Sequence, residues 1–95
     1  MKYYKTTIYL PDATLETWVN FTDDEIVKFA EFEKEAREGF IKDFEETPEE
    51  NPEDWKDYLC DFYQEKEYII RLEINGYDRE VVVYGVDLEN PIEED

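Results

Sequence analysis

The chain contains no histidine and no serine. These two absences remove serine–histidine nucleophilic catalysis, histidine general-base chemistry and histidine metal ligation together. Cysteine occurs once, at Cys60, which excludes an internal disulfide and a thiolate zinc cage. A single thiol in a compact chain suits a reducing compartment, so a cytoplasmic setting is expected. Glycine (3) and proline (4) are too few for long flexible linkers. No apolar run approaches the roughly 18 residues of a membrane span. The segment Met1 to Leu10 is interrupted by Lys5, Thr6 and Thr7 and does not read as a secretory leader. Positive charge is also scarce: 10 Lys and Arg stand against 28 Asp and Glu, a net charge of −18. Such a chain repels nucleic acid and anionic membranes and attracts basic partners.

What remains is enough for one folded domain. Hydrophobic residues make up 41% of the 95 positions and aromatics 17%, which opposes the disorder that the charge alone would suggest. Residues 1–88 read as a single α+β domain and residues 89–95 as a frayed acidic tail.

Residues 2–10 alternate Tyr4, Thr6, Ile8 and Leu10 on one face, the pattern of a strand. Pro11-Asp12-Ala13-Thr14 is turn chemistry. Leu15 to Phe21 is a second strand, with Trp18 on the face opposite Val19. Thr22-Asp23-Asp24-Glu25 spells a capping box, and its three acids suit the positive end of a helix dipole. At 100° per residue, Ile26, Phe29, Ala30, Ala36, Phe40, Ile41 and Phe44 gather on one side of that helix. Glu33 and Arg37 fall among them at i,i+4 spacing and are expected to pair. Gly39 is an expected point of bending. Thr47 to Asn51 breaks the helix, and Asn51-Pro52 starts another as N-cap and N1. Trp55, Tyr58, Leu59 and Phe62 give the second helix its apolar face. Residues 67–86 read as a second hairpin around Asn75-Gly76, through either a two-residue or a three-residue loop. The order ββααββ predicts an antiparallel four-stranded sheet with two acidic-faced helices packed on one face. Phe29, Phe40, Phe44, Trp55, Leu59, Phe62, Ile70 and Leu72 are its expected core.

Residues 22–67 hold eighteen acids and six bases, most of the net charge. Glu31, Glu35, Glu38 and Glu45 form one expected row, and Glu53, Asp57 and Asp61 another, each facing away from an apolar stripe. Glu49, Glu50 and Asp54 lie at the junction between the helices. No catalytic set accompanies them: paired carboxylates need a cleft to separate their environments, and a domain of this size leaves little room for one. Asp54, Asp57, Asp61 and Glu49-Glu50 offer at most loose Ca²⁺ contacts, because helical acids form a line rather than a cage and no D-x-D-x-D-G loop is present. No cofactor is expected. Carboxylates three or four apart on a helix stand about 5–6 Å apart, near the phosphate spacing along one DNA strand, and a duplex carries one charge per about 1.7 Å of axis. Two such rows match a protein groove built for DNA. Trp18 is the expected apolar anchor for the same partner.

In its size, sequence pI near 4.1, abundance of tyrosine and acidic helices, the chain resembles phage-encoded DNA-mimic inhibitors, the anti-CRISPR and anti-restriction proteins. The stretches carrying this resemblance are Glu31-Phe32-Glu33-Lys34-Glu35 and Glu49-Glu50-Asn51-Pro52-Glu53-Asp54. It implies a non-enzymatic inhibitor acting in a host cell, whose partner is a basic nucleic-acid-binding protein such as a CRISPR effector or restriction enzyme. Two rival readings are an acidic adaptor or antitoxin-like module and a weak Ca²⁺-binding protein.

Overall fold

The structure, a computed structural model, describes residues 1–94. It is an α+β fold with β1 (Lys2–Leu10), β2 (Ala13–Val19), α1 (Asp23–Phe44), α2 (Pro52–Lys66), β3 (Ile69–Ile74), β4 (Tyr77–Val86) and β5 (Ile92–Glu93). All strand pairings are antiparallel, in the order β2-β1-β4-β3, with β5 beside β1. The sheet therefore has five strands rather than four.

The fifth strand lies in the expected frayed tail. Ile92 and Glu93 pair with Tyr3 and Lys2, the Met1 amino group donates to the Glu94 carbonyl at 2.8 Å, and the Glu94 N–H donates to the Met1 carbonyl at 2.9 Å. β4 leaves β1 at Thr6, so the first residues of β1 keep an unpaired edge that the tail fills.

Both hairpins close through two-residue turns. Asn75 and Gly76 have φ of 53° and 83°, the left-handed pair that a type I′ turn requires. This fixes the register that the sequence left open: Arg71 faces Glu80, with 3.3 Å between them, and Glu73 faces Asp78. Between Thr7 and Ile8 the β1–β4 register slips around Tyr84, a bulge that bends the sheet. Residues 19–21, at and just beyond the end of β2, and residues 69–72 of β3 line one cleft of ≈ 350 Å³ with Glu25.

The inner positions Tyr4, Val19, Val83 and Val86 join Phe21, Phe29, Phe32 and Tyr63 in one buried cluster. Phe29 sits at its centre, with Phe21 and Tyr68 edge-on at 4.9 and 5.0 Å. A second aromatic group, Phe40, Phe44, Trp55 and Tyr58, holds the far end of the helix pair.

The expected helix face is rotated from the one observed. Phe29, Ala36 and Phe40 are buried, but so is Phe32, whereas Ala30 and Ile41 are exposed and Phe44 keeps 43% of its surface. α2 packs along the flank that carries Phe32, and Phe32 meets Phe62 and Tyr63 there. Of the remaining expected core, Trp55, Leu59, Phe62, Ile70 and Leu72 are half-buried. Gly39 is not a bend: α1 runs unbroken, and a Cβ at Gly39 would stand 2.5 Å from the Tyr58 hydroxyl. The glycine leaves room for the Tyr58 side chain of α2.

Candidate acidic interface

Each acidic helix is built from local signals. Thr22 and Glu25 form a reciprocal capping box: the Glu25 N–H donates to Thr22 Oγ1 at 3.2 Å and the Thr22 N–H to Glu25 Oε1 at 3.0 Å. Asn51 caps α2 by accepting from the Asp54 N–H at 3.4 Å. Between the helices, Thr47 and Glu50 repeat the capping-box arrangement over one turn.

These local jobs change the expected rows. Glu31, Glu38, Glu53, Asp57 and Asp61 are exposed, and among the described residues no ion pair engages them. Glu35 is tied to Lys66 across the helix pair at 3.4 Å. Glu45 leaves its row, because it is the left-handed C-cap of α1 at φ 56°. Glu49 is held by both terminal nitrogens of Arg37 at 2.8 Å each. That bond holds the Glu49 carboxyl below its ordinary value and raises Arg37 above its own. Glu50 is engaged with Thr47 and Asp54 with Asn51. Trp18 is 45% exposed but pairs with Lys5 in the sheet, so it stands apart from the acidic rows.

Arg37 reaches Glu49 rather than Glu33, which lay outside sequence reasoning because the partner is on the interhelical turn. Glu33 instead is half-buried, and burial raises its pKa, with Glu89 and then Asp87 adding to the rise against Arg37. Beside it the Tyr63 hydroxyl is buried with no hydrogen-bond partner among the described residues, and burial, then the charge of Glu33, push it far above the ordinary phenol range.

The structure also brings Asp61 of the expected row together with Asp43 and Glu65, two acids that the sequence did not single out. Asp43 on α1 and Asp61 and Glu65 on α2 line a crevice of ≈ 300 Å³ with Tyr58 and Phe62. The Tyr58 hydroxyl donates to Asp43 at 3.4 Å, and burial, followed by Asp43, raises its pKa. The acidic spacing within each helix was visible in the sequence; the pairing of one helix with the other was not. Among the described residues no three Asp, Glu or Cys side chains are grouped as a metal ion would need. Among the described residues no helix is long and apolar enough to cross a membrane.

A cavity of ≈ 420 Å³ lies where Trp55, Lys56, Leu59 and Cys60 of α2 meet Lys5, Thr7, Glu16 and the β4 bulge. Two lysines line it, so it is chemically unlike the acidic crevice.

No protein-family model, curated protein or solved structure matches this chain.

Proposed function

We propose that this protein is an acidic DNA-mimic inhibitor that occupies the nucleic-acid groove of a basic enzyme, of the CRISPR-effector or restriction-enzyme kind. One observation carries the reading. Glu31 and Glu38 on α1 and Glu53, Asp57 and Asp61 on α2 present exposed carboxylates without ion-pair partners among the described residues, on a capped helix pair, and Asp43 and Glu65 line a crevice with Asp61. A groove lined by lysine and arginine meets this surface as it meets a phosphate backbone. Glu35, Glu45 and Glu49 belong to the scaffold rather than to the array, because pairing or capping already uses them.

Association is expected to be fast and to weaken steeply with salt, since opposed fields steer encounter and are screened within about 8–10 Å near physiological ionic strength. The test is competition on immobilised duplex DNA loaded with bacterial lysate. The protein should release DNA-binding proteins in proportion to its concentration. The triple variant Glu53→Lys, Asp57→Lys, Asp61→Lys should fold normally and release far less. A partner that keeps its full DNA affinity when saturated with this protein would overturn the reading in favour of an acidic adaptor.

A further inference from the structure

The cavity of ≈ 420 Å³ opens where α2 meets β1, β2 and the bulged part of β4. Its volume lies in the range of sites that hold small molecules, roughly 300–1,000 Å³. Two of the rings that line it are already held in place. Trp55 packs edge-on to Phe40 at 5.5 Å and stacks with Tyr58, and Tyr84 stacks on Tyr9 at 5.2 Å. Both rings are half-buried, so neither is used up by these contacts. Gly85 lines the same space, and packing does not require a glycine there. Its φ is not left-handed, and a Cβ at Gly85 would meet nothing within 4 Å. At Gly39, by contrast, a Cβ would stand 2.5 Å from the Tyr58 hydroxyl. Glycine inside a strand weakens it, and it often marks a bulge or a place where a ligand comes close. At Gly85 the missing side chain keeps the cavity open.

Four charged side chains line the cavity, and three of them are engaged. Lys5 and Glu16 pair at 3.1 Å. The Asp87 carboxylate accepts from the Glu89 N–H at 3.1 Å and from the Asn90 side-chain amide at 3.4 Å. Lys56 has no ion-pair partner among the described residues. We propose that this cavity binds a small planar aromatic carboxylate, with its ring against Trp55 and Tyr84 and its carboxylate on the Lys56 ammonium. The site does not rest on the acidic array holding a protein partner. Local charge sets the ligand class. The net charge of −18 attracts an aromatic amine to the molecule as a whole and repels the acid. A preference for the acid at this cavity therefore runs against the overall field, and only a local cation produces it. Lys56 is that cation, and a charge-assisted hydrogen bond from its ammonium is the stronger kind.

The test titrates the ¹⁵N-labelled full chain with naphthalene-2-carboxylate and, separately, with the amine 2-(aminomethyl)naphthalene. The carboxylate should shift the backbone amides of Trp55, Lys56, Cys60, Tyr84 and Gly85, and should bind there more tightly than the amine. Cys60 is the chain's single thiol and lines the cavity, so saturating carboxylate should also slow its alkylation by iodoacetamide several-fold. Lys56→Gln should weaken the carboxylate about tenfold and leave the amine unchanged. Gly85→Leu places a side chain in the open space and should abolish binding of both. If that variant does not fold, Lys56→Gln, at an exposed position, decides. Amine binding as tight as carboxylate binding would overturn the proposal, since the whole-molecule field would then govern. So would an unchanged carboxylate affinity in Lys56→Gln, or the absence of shifts at these five amides with millimolar carboxylate.

Discussion

The helical layer and the sheet have nearly the same length of chain and very different charge. Residues 22–67 hold eighteen acids and six bases; residues 1–21 and 68–88 hold six acids and four bases. In the sheet, Lys5 pairs with Glu16 at 3.1 Å and Arg71 with Glu80 at 3.3 Å, so the charges largely compensate one another. In the helices, the pairs Arg37–Glu49 and Lys66–Glu35 still leave acids in large excess. Crowding of that kind weakens a fold, and solubility alone does not require it to lie on one layer. The difference teaches that the negative field is directional. A partner meeting the helices meets an array of carboxylates, and one meeting the sheet meets backbone edges, Trp18 and a nearly neutral surface.

The largest expected effect tests what the layers share. Phe29 has no exposed surface and touches rings from both layers, so Phe29→Ala should cost about 3–5 kcal/mol in urea melts. Phe40→Ala, equally buried but confined to the helix pair, should cost a similar amount, about 3–5 kcal/mol. Phe44→Ala beside it should cost clearly less, since Phe44 is partly exposed already. A Phe40→Ala cost below about 1 kcal/mol would show that the two helices are not packed through this ring.

Next in size is the contact that draws the helices together. Gly39→Ala should gain helix propensity but displace the Tyr58 hydroxyl and its bond to Asp43. In a Tyr58→Phe background the obstructing oxygen is gone and the same substitution should become favourable. A double-mutant cycle should therefore show a coupling of at least about 0.5 kcal/mol. Simple additivity would mean that the two helices do not approach closely at Gly39.

The pH dependence is smaller and has two opposing parts. The pKa of Glu33 is raised, chiefly by burial, so the folded state holds that proton more tightly than the unfolded chain. Its contribution to stability grows as pH falls from 7 through the raised value towards the ordinary 4.5, then levels. The pKa of Glu49 is lowered by Arg37, so its contribution is present above 4.5 and is lost as pH falls further. Stability should therefore rise as pH falls from 7 towards the ordinary 4.5 and fall below it. Glu33→Gln should be stabilising at pH 7 and should flatten the rise towards pH 5. A wild-type chain that loses stability steadily from pH 7 to 5 would contradict this assignment.

Much of the fold was legible where the signal is local. Thr22 to Glu25, Asn51-Pro52 and Asn75-Gly76 each specify a cap or turn through their own backbone chemistry, and each forms as expected. Signals that depend on a distant neighbour were not legible. Phe32 is buried because α2 lies on that flank, which no periodicity within α1 reveals. Gly39 looks like a weak point in the sequence and is a contact in the fold. Arg37 has a sequence-near partner in Glu33 and finds a better one in Glu49. The tail is short and acidic, yet it forms a strand because β1 leaves an edge for it. The carboxylate rows were visible as spacing, but which members stay free depends on these same tertiary choices.

The most direct measurement of the central claim compares matched charge reversals in the two layers. Glu53→Lys, Asp57→Lys and Asp61→Lys reverse three acids on the helices, whereas Glu16→Lys, Glu73→Lys and Glu80→Lys reverse three on the sheet, with the same change in net charge. Each variant is added to duplex DNA loaded with bacterial DNA-binding proteins, and the protein released is measured at two salt concentrations. The helical variant should lose most of the releasing activity, and the sheet variant should keep most of it, with salt weakening the wild type and the sheet variant alike. Equal losses in the two variants would show that only total charge matters and would contradict a directional acidic interface.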